Sequence, residues 1–178
     1  MHAAIDACLE AMGEAAAGAR VAAVRLTVPA LSKALADRPH PTDFFAAQIS
    51  LQHWTAHACL RRSAGIAALR SEAIAAPDIA ALRAKVEIVT DATFSRDEAT
   101  AEIHLDGGSV RRAHVANARG SLARPMSDAE LDAKFRAQAG MLLSGSAAEA
   151  LQARLRGLAS SEDVAATLSP LLIAGGRS

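Results

Sequence analysis

ATAEIHLDGGSVRRAHVANA, residues 99–118, decides the fold class. Two strand-like runs flank Asp106-Gly107-Gly108, a turn signal that folds one strand back along the other. Working outward, KVEIVTD at 85–91 alternates Val86 and Ile88 with Glu87 and Val89, as a strand does. VAAVRLTV at 21–28 is the remaining β-rich segment. The rest reads as helix. Ala3–Ala17 carries Ile5, Cys8, Leu9 and Met12 at helical spacing, with Gly18 as its stop. Pro29 opens a short helix through Ala36, and Thr42 or Asp43, closing the DRPHPTD loop, caps the next. That next helix, Phe44–Arg61, is the longest apolar segment and is expected to form the domain centre. Helical stretches at Ala64–Ala73 and Pro77–Ala84 follow. Beyond the Arg119–Met126 loop come three helices, opened by Ser127 with Glu130, Ser146 with Glu149 and, more weakly, Ser160 with Asp163. Strands and helices fall in segregated runs. The order predicts an α+β fold, a small antiparallel sheet of about four strands packed against helices.

Composition narrows the function classes. At 178 residues the chain suffices for one well-packed domain. Lys+Arg and Asp+Glu are 19 each, so no long-range field draws in nucleic acid or an anionic membrane. Aromatics are only 3%, and a core of Ala, Leu, Ile and Val favours close helix approach. Asp6, Glu10 and Glu14 interrupt the N-terminus, and no stretch approaches the roughly 20 apolar residues that span a bilayer, so a cytoplasmic protein is expected. Cys8 and Cys59 sit in apolar helical settings as small hydrophobes. Two thiols cannot ligate an iron–sulfur cluster, which excludes aconitase-type cluster chemistry within this chain.

Four segments, in order, carry a resemblance. They are HAAIDA at His2–Ala7, PTDFFAAQISLQHWTAHACL at Pro41–Leu60, PDIAALRAKVEIVTD at Pro77–Asp91 with the hairpin after it, and GSLARPMSDAELDAKF at Gly120–Phe135. Together they resemble the MmgE/PrpD family, which contains 2-methylcitrate dehydratases and cis-aconitate decarboxylases. The resemblance implies the C-terminal domain of a two-domain enzyme, with residues 1–18 a remnant of the inter-domain junction helix, 19–174 the α+β domain and 175–178 a disordered tail. Only Met1 precedes the first segment, so the family's helical N-terminal domain, with its acidic, basic and histidine groups, is expected to be absent.

The implied reaction is elimination from a small polycarboxylate without metal or other cofactor, or a related decarboxylation or epimerisation. It needs a base for a proton α to a carboxylate, an acid for the departing hydroxyl, and donors that hold carboxylates. On the resemblance, His2 and His53 are the catalytic candidates, and Ser50, Arg119 and Gly120 the substrate-binding ones. His53 stands where the family has an active-site tyrosine, and Ile49 where it has a phenylalanine. Imidazole replaces a phenol as donor but titrates near neutrality.

The remaining residues have plainer readings. His53 and His57, four apart, have a spacing that can serve one metal, but HWTAH lacks the Glu of a metalloprotease helix and no third ligand is indicated. His104 and His114 read as solvent-face strand residues, His40 as a loop residue, and Trp54 as packed at the centre or, if exposed, part of a docking surface. Arg61, Arg62 and Arg70 read as a solvated helical face, with too few rings nearby for a nucleic-acid platform.

Two readings stay open. In one, the chain is part of a split or truncated lyase that needs an N-terminal-domain partner, with an unsatisfied apolar face on Ala3–Met12 and Phe44–Cys59. In the other it is a stand-alone dimerising or binding domain whose face closes by self-association. A fragment of a normal enzyme is the third possibility.

Overall fold

Four strands and nine helices account for most of residues 1–13 and 20–174, the part of the chain that the computed structural model describes. They form two units, Met1–Pro125 and Met126–Ser178. The GGRS tail and the end of the expected Ala3–Ala17 helix lie outside the described residues.

The first unit is built on a sheet of β1 (Val21–Val28), β2 (Val86–Thr90), β3 (Ala99–Leu105) and β4 (Val110–Val115), in the order β2-β1-β3-β4. β1–β3 and β3–β4 are antiparallel. β1–β2 is parallel, with Leu26 opposite Ile88, so the sheet is mixed and not antiparallel throughout. The reason is the connection. Residues 29–85 separate the two strands with a helical crossover, which parallel pairing requires. The β3–β4 turn is the expected one, Gly107 and Gly108 taking φ 94° and 87°.

One face of the sheet is apolar: Val24, Leu26, Val28, Ile88, Ala101 and Ile103 are buried. The other carries a row of alternating charge in register across all four strands, Glu87–Arg25–Glu102–Arg112. Arg25 meets Glu87 at 2.8 Å and Arg112 meets Glu102 at 2.7 Å. Such exposed pairs add little stability, but they keep the open face wet.

The helices of this unit are α1 (His2–Met12), α2 (Ala30–Ala36), α3 (Phe44–Gln48), α4 (Leu51–Arg61), α5 (Ser71–Ala75) and α6 (Pro77–Arg83), with a 3₁₀ turn at Ile66–Leu69. α1 buries Ala3, Ala4, Ala7, Cys8, Ala11 and Met12 against β3, β4 and α4. Small side chains permit that approach. Of the apolar face expected to stay open on Ala3–Met12 and Phe44–Cys59, the parts on α1 and α4 are therefore closed inside this unit, nine consecutive residues of α4, Leu51–Cys59, being buried, whereas Phe44 and Phe45 stay exposed. The expected Phe44–Arg61 helix is two helices. Ser50 is extended (φ −99°, ψ 111°), and its side chain caps α4 by accepting from the His53 N–H. A sequence continuous in apolar character is broken by one cap.

In the second unit, α7 (Asp128–Ala139) has the expected Ser127–Glu130 capping box. α8 (Gly145–Arg156) is capped by Ser144, two residues before the expected Ser146. Asp163, not Ser160, caps α9 (Val164–Ala174), accepting from the Ala166 N–H. Ala148 is the only residue of the three helices buried among those described.

Candidate functional site

Two places in the first unit hold the two motif histidines singled out by sequence. The first is a groove of about 760 Å³ at the start of α1, within the ~300–1,000 Å³ range of small-molecule sites. His2 opens α1 at its lip, exposed to solvent. The first turn of α1 has neither a side-chain cap nor an acidic residue, so its free N–H groups favour negative charge nearby. Arg38 and Arg96 line the groove, as does Asp97. Its apolar wall is Leu31 and Leu35 from α2 with Ile49 from the α3–α4 junction, and these are 59%, 62% and 43% exposed. Phe45, on neighbouring α3, is 77% exposed. Of the two stretches expected to stay open, Phe44–Cys59 does so at Phe44, Phe45 and Ile49, whereas α1 is packed.

The second place is the interior around α4. His53 is completely buried. Its Nε2 lies 2.8 Å from the Ala68 carbonyl, which can only accept, so Nε2 carries the hydrogen. Its Nδ1 then offers a lone pair to Arg83 Nη1 at 3.3 Å. Burial pushes the imidazole below its ordinary range. The Ala68 carbonyl opposes this, and the positive charge of Arg83 and the neighbouring His57 add to it. The fold thus holds His53 neutral with both nitrogens occupied. His57 bonds through Nδ1 to the Ser63 carbonyl at 3.1 Å. Arg83 is itself buried, donates to the Ile74 carbonyl at 3.0 Å, and has no bond at its Nε. Among the described residues, no three His, Cys, Asp or Glu side chains gather to hold a metal ion.

Ser50 is also fully buried, and its hydroxyl is spent twice. It donates to the Arg38 carbonyl at 2.6 Å and accepts from the His53 N–H at 3.0 Å. Gln52 completes the same clamp, its Oε1 accepting from the Arg38 N–H at 3.0 Å and its Nε2 donating to Asp37. Arg119 and Gly120 lie on the loop after β4. The Arg119 N–H donates to Asp6 at 2.6 Å, and Gly120 takes φ 89° while its N–H meets the Arg124 carbonyl. Neither they nor Ser50 and His53 are among the residues lining the groove with His2.

The model of the MmgE/PrpD C-terminal domain matches residues 1–158. The chain belongs to the MmgE/PrpD family. No curated protein matches it. In this MmgE/PrpD domain the residues of ISLQH at 49–53 divide between the two places: Ile49 faces the groove, whereas Ser50, Gln52 and His53 face inward. Sequence reasoning missed Arg38, Arg83 and Arg96. Arg38 stands in a loop between α2 and the prolines, Arg83 ends α6, and Arg96 precedes β3. Nothing local marks any of them, because the fold alone brings them beside the motif residues. No helix among those described is long and apolar enough to cross a membrane.

Proposed function

We propose that this chain is the C-terminal part of an MmgE/PrpD-type lyase acting on a small polycarboxylate, 2-methylcitrate dehydratase-like in class and cytoplasmic. Its catalytic set is completed by an N-terminal helical domain, and residues 1–18 are the remnant of the junction between the two. One observation carries this reading. His2 of the family's His-x-x-Ile-Asp-Ala segment sits at the lip of a groove holding two arginines and an apolar wall open to solvent. That combination suits an anionic substrate on one side and a covering protein element on the other.

In this reading His2 is the proton-handling group, and His53, bonded to the Ala68 carbonyl and Arg83, holds the interior of α4. Elimination removes a proton α to a carboxylate and expels the β-hydroxyl as water, which takes a base and an acid. The groove supplies one exposed imidazole and cationic groups, which is not a complete set. The isolated chain accordingly has no measurable dehydratase turnover. The test is its mass in solution by light scattering, alone and co-expressed with an N-terminal-domain homologue, followed by turnover on a tricarboxylate panel. A stable 1:1 complex with activity lost on His2→Ala supports the proposal; turnover by the chain alone sinks it.

A second reading, a stand-alone dimerising domain, is favoured by the imidazole in the family tyrosine's place, buried with both nitrogens engaged. A homodimer indifferent to any N-terminal-domain partner would select it.

A further inference from the structure

Among the described residues, the guanidinium groups of Arg38 and Arg96 form no ion pair, although both line one groove. The side-chain bond of Arg38 is a long one, Nη1 to the Asp37 carbonyl at 3.4 Å. Elsewhere arginines find carboxylates at short range: Arg25 with Glu87, Arg61 with Asp78, Arg112 with Glu102 and Arg156 with Asp132, all at 2.8 Å or less. Asp97 also lines the groove, yet it pairs with neither arginine.

The backbone of Arg38 is the opposite of loose. Its carbonyl accepts from Ser50, its N–H donates to Gln52, and Gln52 also grips Asp37 next door. Ser50 and Gln52 are themselves buried, in the first turn of α4. Two buried polar side chains are thus spent on fixing the main chain of one exposed arginine, part of which a simple helix cap would not need.

We infer that Arg38 and Arg96 are a carboxylate-holding pair for the groove, and that Ser50 and Gln52 are positioning residues acting through Arg38. The inference rests on the proposed lyase reading and deepens it. The ligand class is a small molecule with at least two carboxylates. A guanidinium fork holds a carboxylate through two parallel bonds, and two forks with the open first turn of α1 beside them reward a second anionic group. Asp97, whose charge interacts with the Met1 ammonium, disfavours a further negative charge on its own side of the groove. Leu31, Leu35 and Ile49 take the hydrocarbon part. Ser50 then contributes to binding without touching the ligand.

The test is titration of the full chain with tricarballylate, an unreactive tricarboxylate, followed by NMR or calorimetry, with acetate as the single-carboxylate control. Saturable binding of tricarballylate, far tighter than acetate, is expected. Arg38→Gln and Arg96→Gln, both exposed and expected to fold, should each weaken it about tenfold or more. Arg38→Lys should recover only part of the loss, because an ammonium keeps the charge but not the fork. Ser50→Ala should weaken binding, and Ser50→Thr, which restores the hydroxyl, should recover it; a merely structural role would not make affinity follow the hydroxyl. Two results overturn the assignment: no saturable binding by wild type, or binding that survives both glutamine substitutions. The lyase reading is judged separately, by turnover of the complex with the N-terminal domain, and stands or falls independently of these titrations.

Discussion

His2 and His53 occupy the two motif positions to which the family resemblance gives chemistry, and the fold treats them in opposite ways. His2 is exposed at the end of α1, facing a groove rich in unspent positive charge. His53 lies at 0% exposure, its proton given to Ala68 and its lone pair to Arg83. Among the described residues the groove leaves the Arg38 and Arg96 guanidinium groups without an ion pair, which costs little at the surface. The α4 interior satisfies all of the His53 ring and leaves the Arg83 Nε unmet, and an unpaired buried polar group costs about 1–3 kcal/mol. A side chain cannot serve both economies. One imidazole is exposed on a groove and the other is bonded into the interior.

The sharpest way to break that contrast is His53→Ala. It opens a cavity and strands both the Ala68 carbonyl and Arg83, so a loss of about 3 kcal/mol or more is expected in denaturant unfolding. A change under 1 kcal/mol would mean that the ring is not the keystone its bonds suggest. The same ring gives a pH signature. Its folded-state pKa is held below the ordinary 6.5, chiefly by burial. Below about pH 6.5 the unfolded chain takes up a proton that the folded ring refuses. This contribution to stability is complete above that pH and declines as pH falls toward the folded value. Unfolding midpoints measured across pH 5–8 should show the decline in wild type, and His53→Ala should remove that component.

A smaller effect tests the link between the two places. Ser50→Ala deletes the α4 cap and the bond to the Arg38 carbonyl, and should cost about 1–2 kcal/mol. Ser50→Thr should retain most of it. If threonine, with its hydroxyl in place and no sign of a steric clash, loses as much as alanine, the hydroxyl is not what matters.

How much of this was legible depends on how far apart the deciding residues stand. The β3–β4 hairpin was readable because Asp106-Gly107-Gly108 encodes it locally, and the Ser127–Glu130 capping box for the same reason. The parallel β1–β2 pair was not, since its direction is set by a crossover of several helices. The split of Phe44–Arg61 needed the bond from Ser50 to Arg38, twelve residues back, without which the run looks like one helix. The MmgE/PrpD membership was legible in four ordered segments, yet the roles of their residues were not. Nothing in HWTAH separates a ring facing a groove from a ring facing Arg83, thirty residues on. Arg38 and Arg96 stood outside every motif, and only the shared groove joins them.

The smallest expected effect is the most discriminating. His2→Ala removes an exposed ring that makes no side-chain hydrogen bond or ion pair among the described residues, so the free energy of unfolding should stay within about 0.5 kcal/mol of wild type. Helix propensity works in the same direction, because alanine is the better helix former at that position. A functional residue on an open groove should look energetically idle in the isolated domain, its contribution appearing only when a ligand or partner arrives. Equilibrium urea unfolding of His2→Ala beside His53→Ala measures both histidines on one scale. Were His2→Ala to cost 2 kcal/mol, its ring would be tied into the fold, and the groove would lose the one imidazole that distinguishes it from the interior of α4.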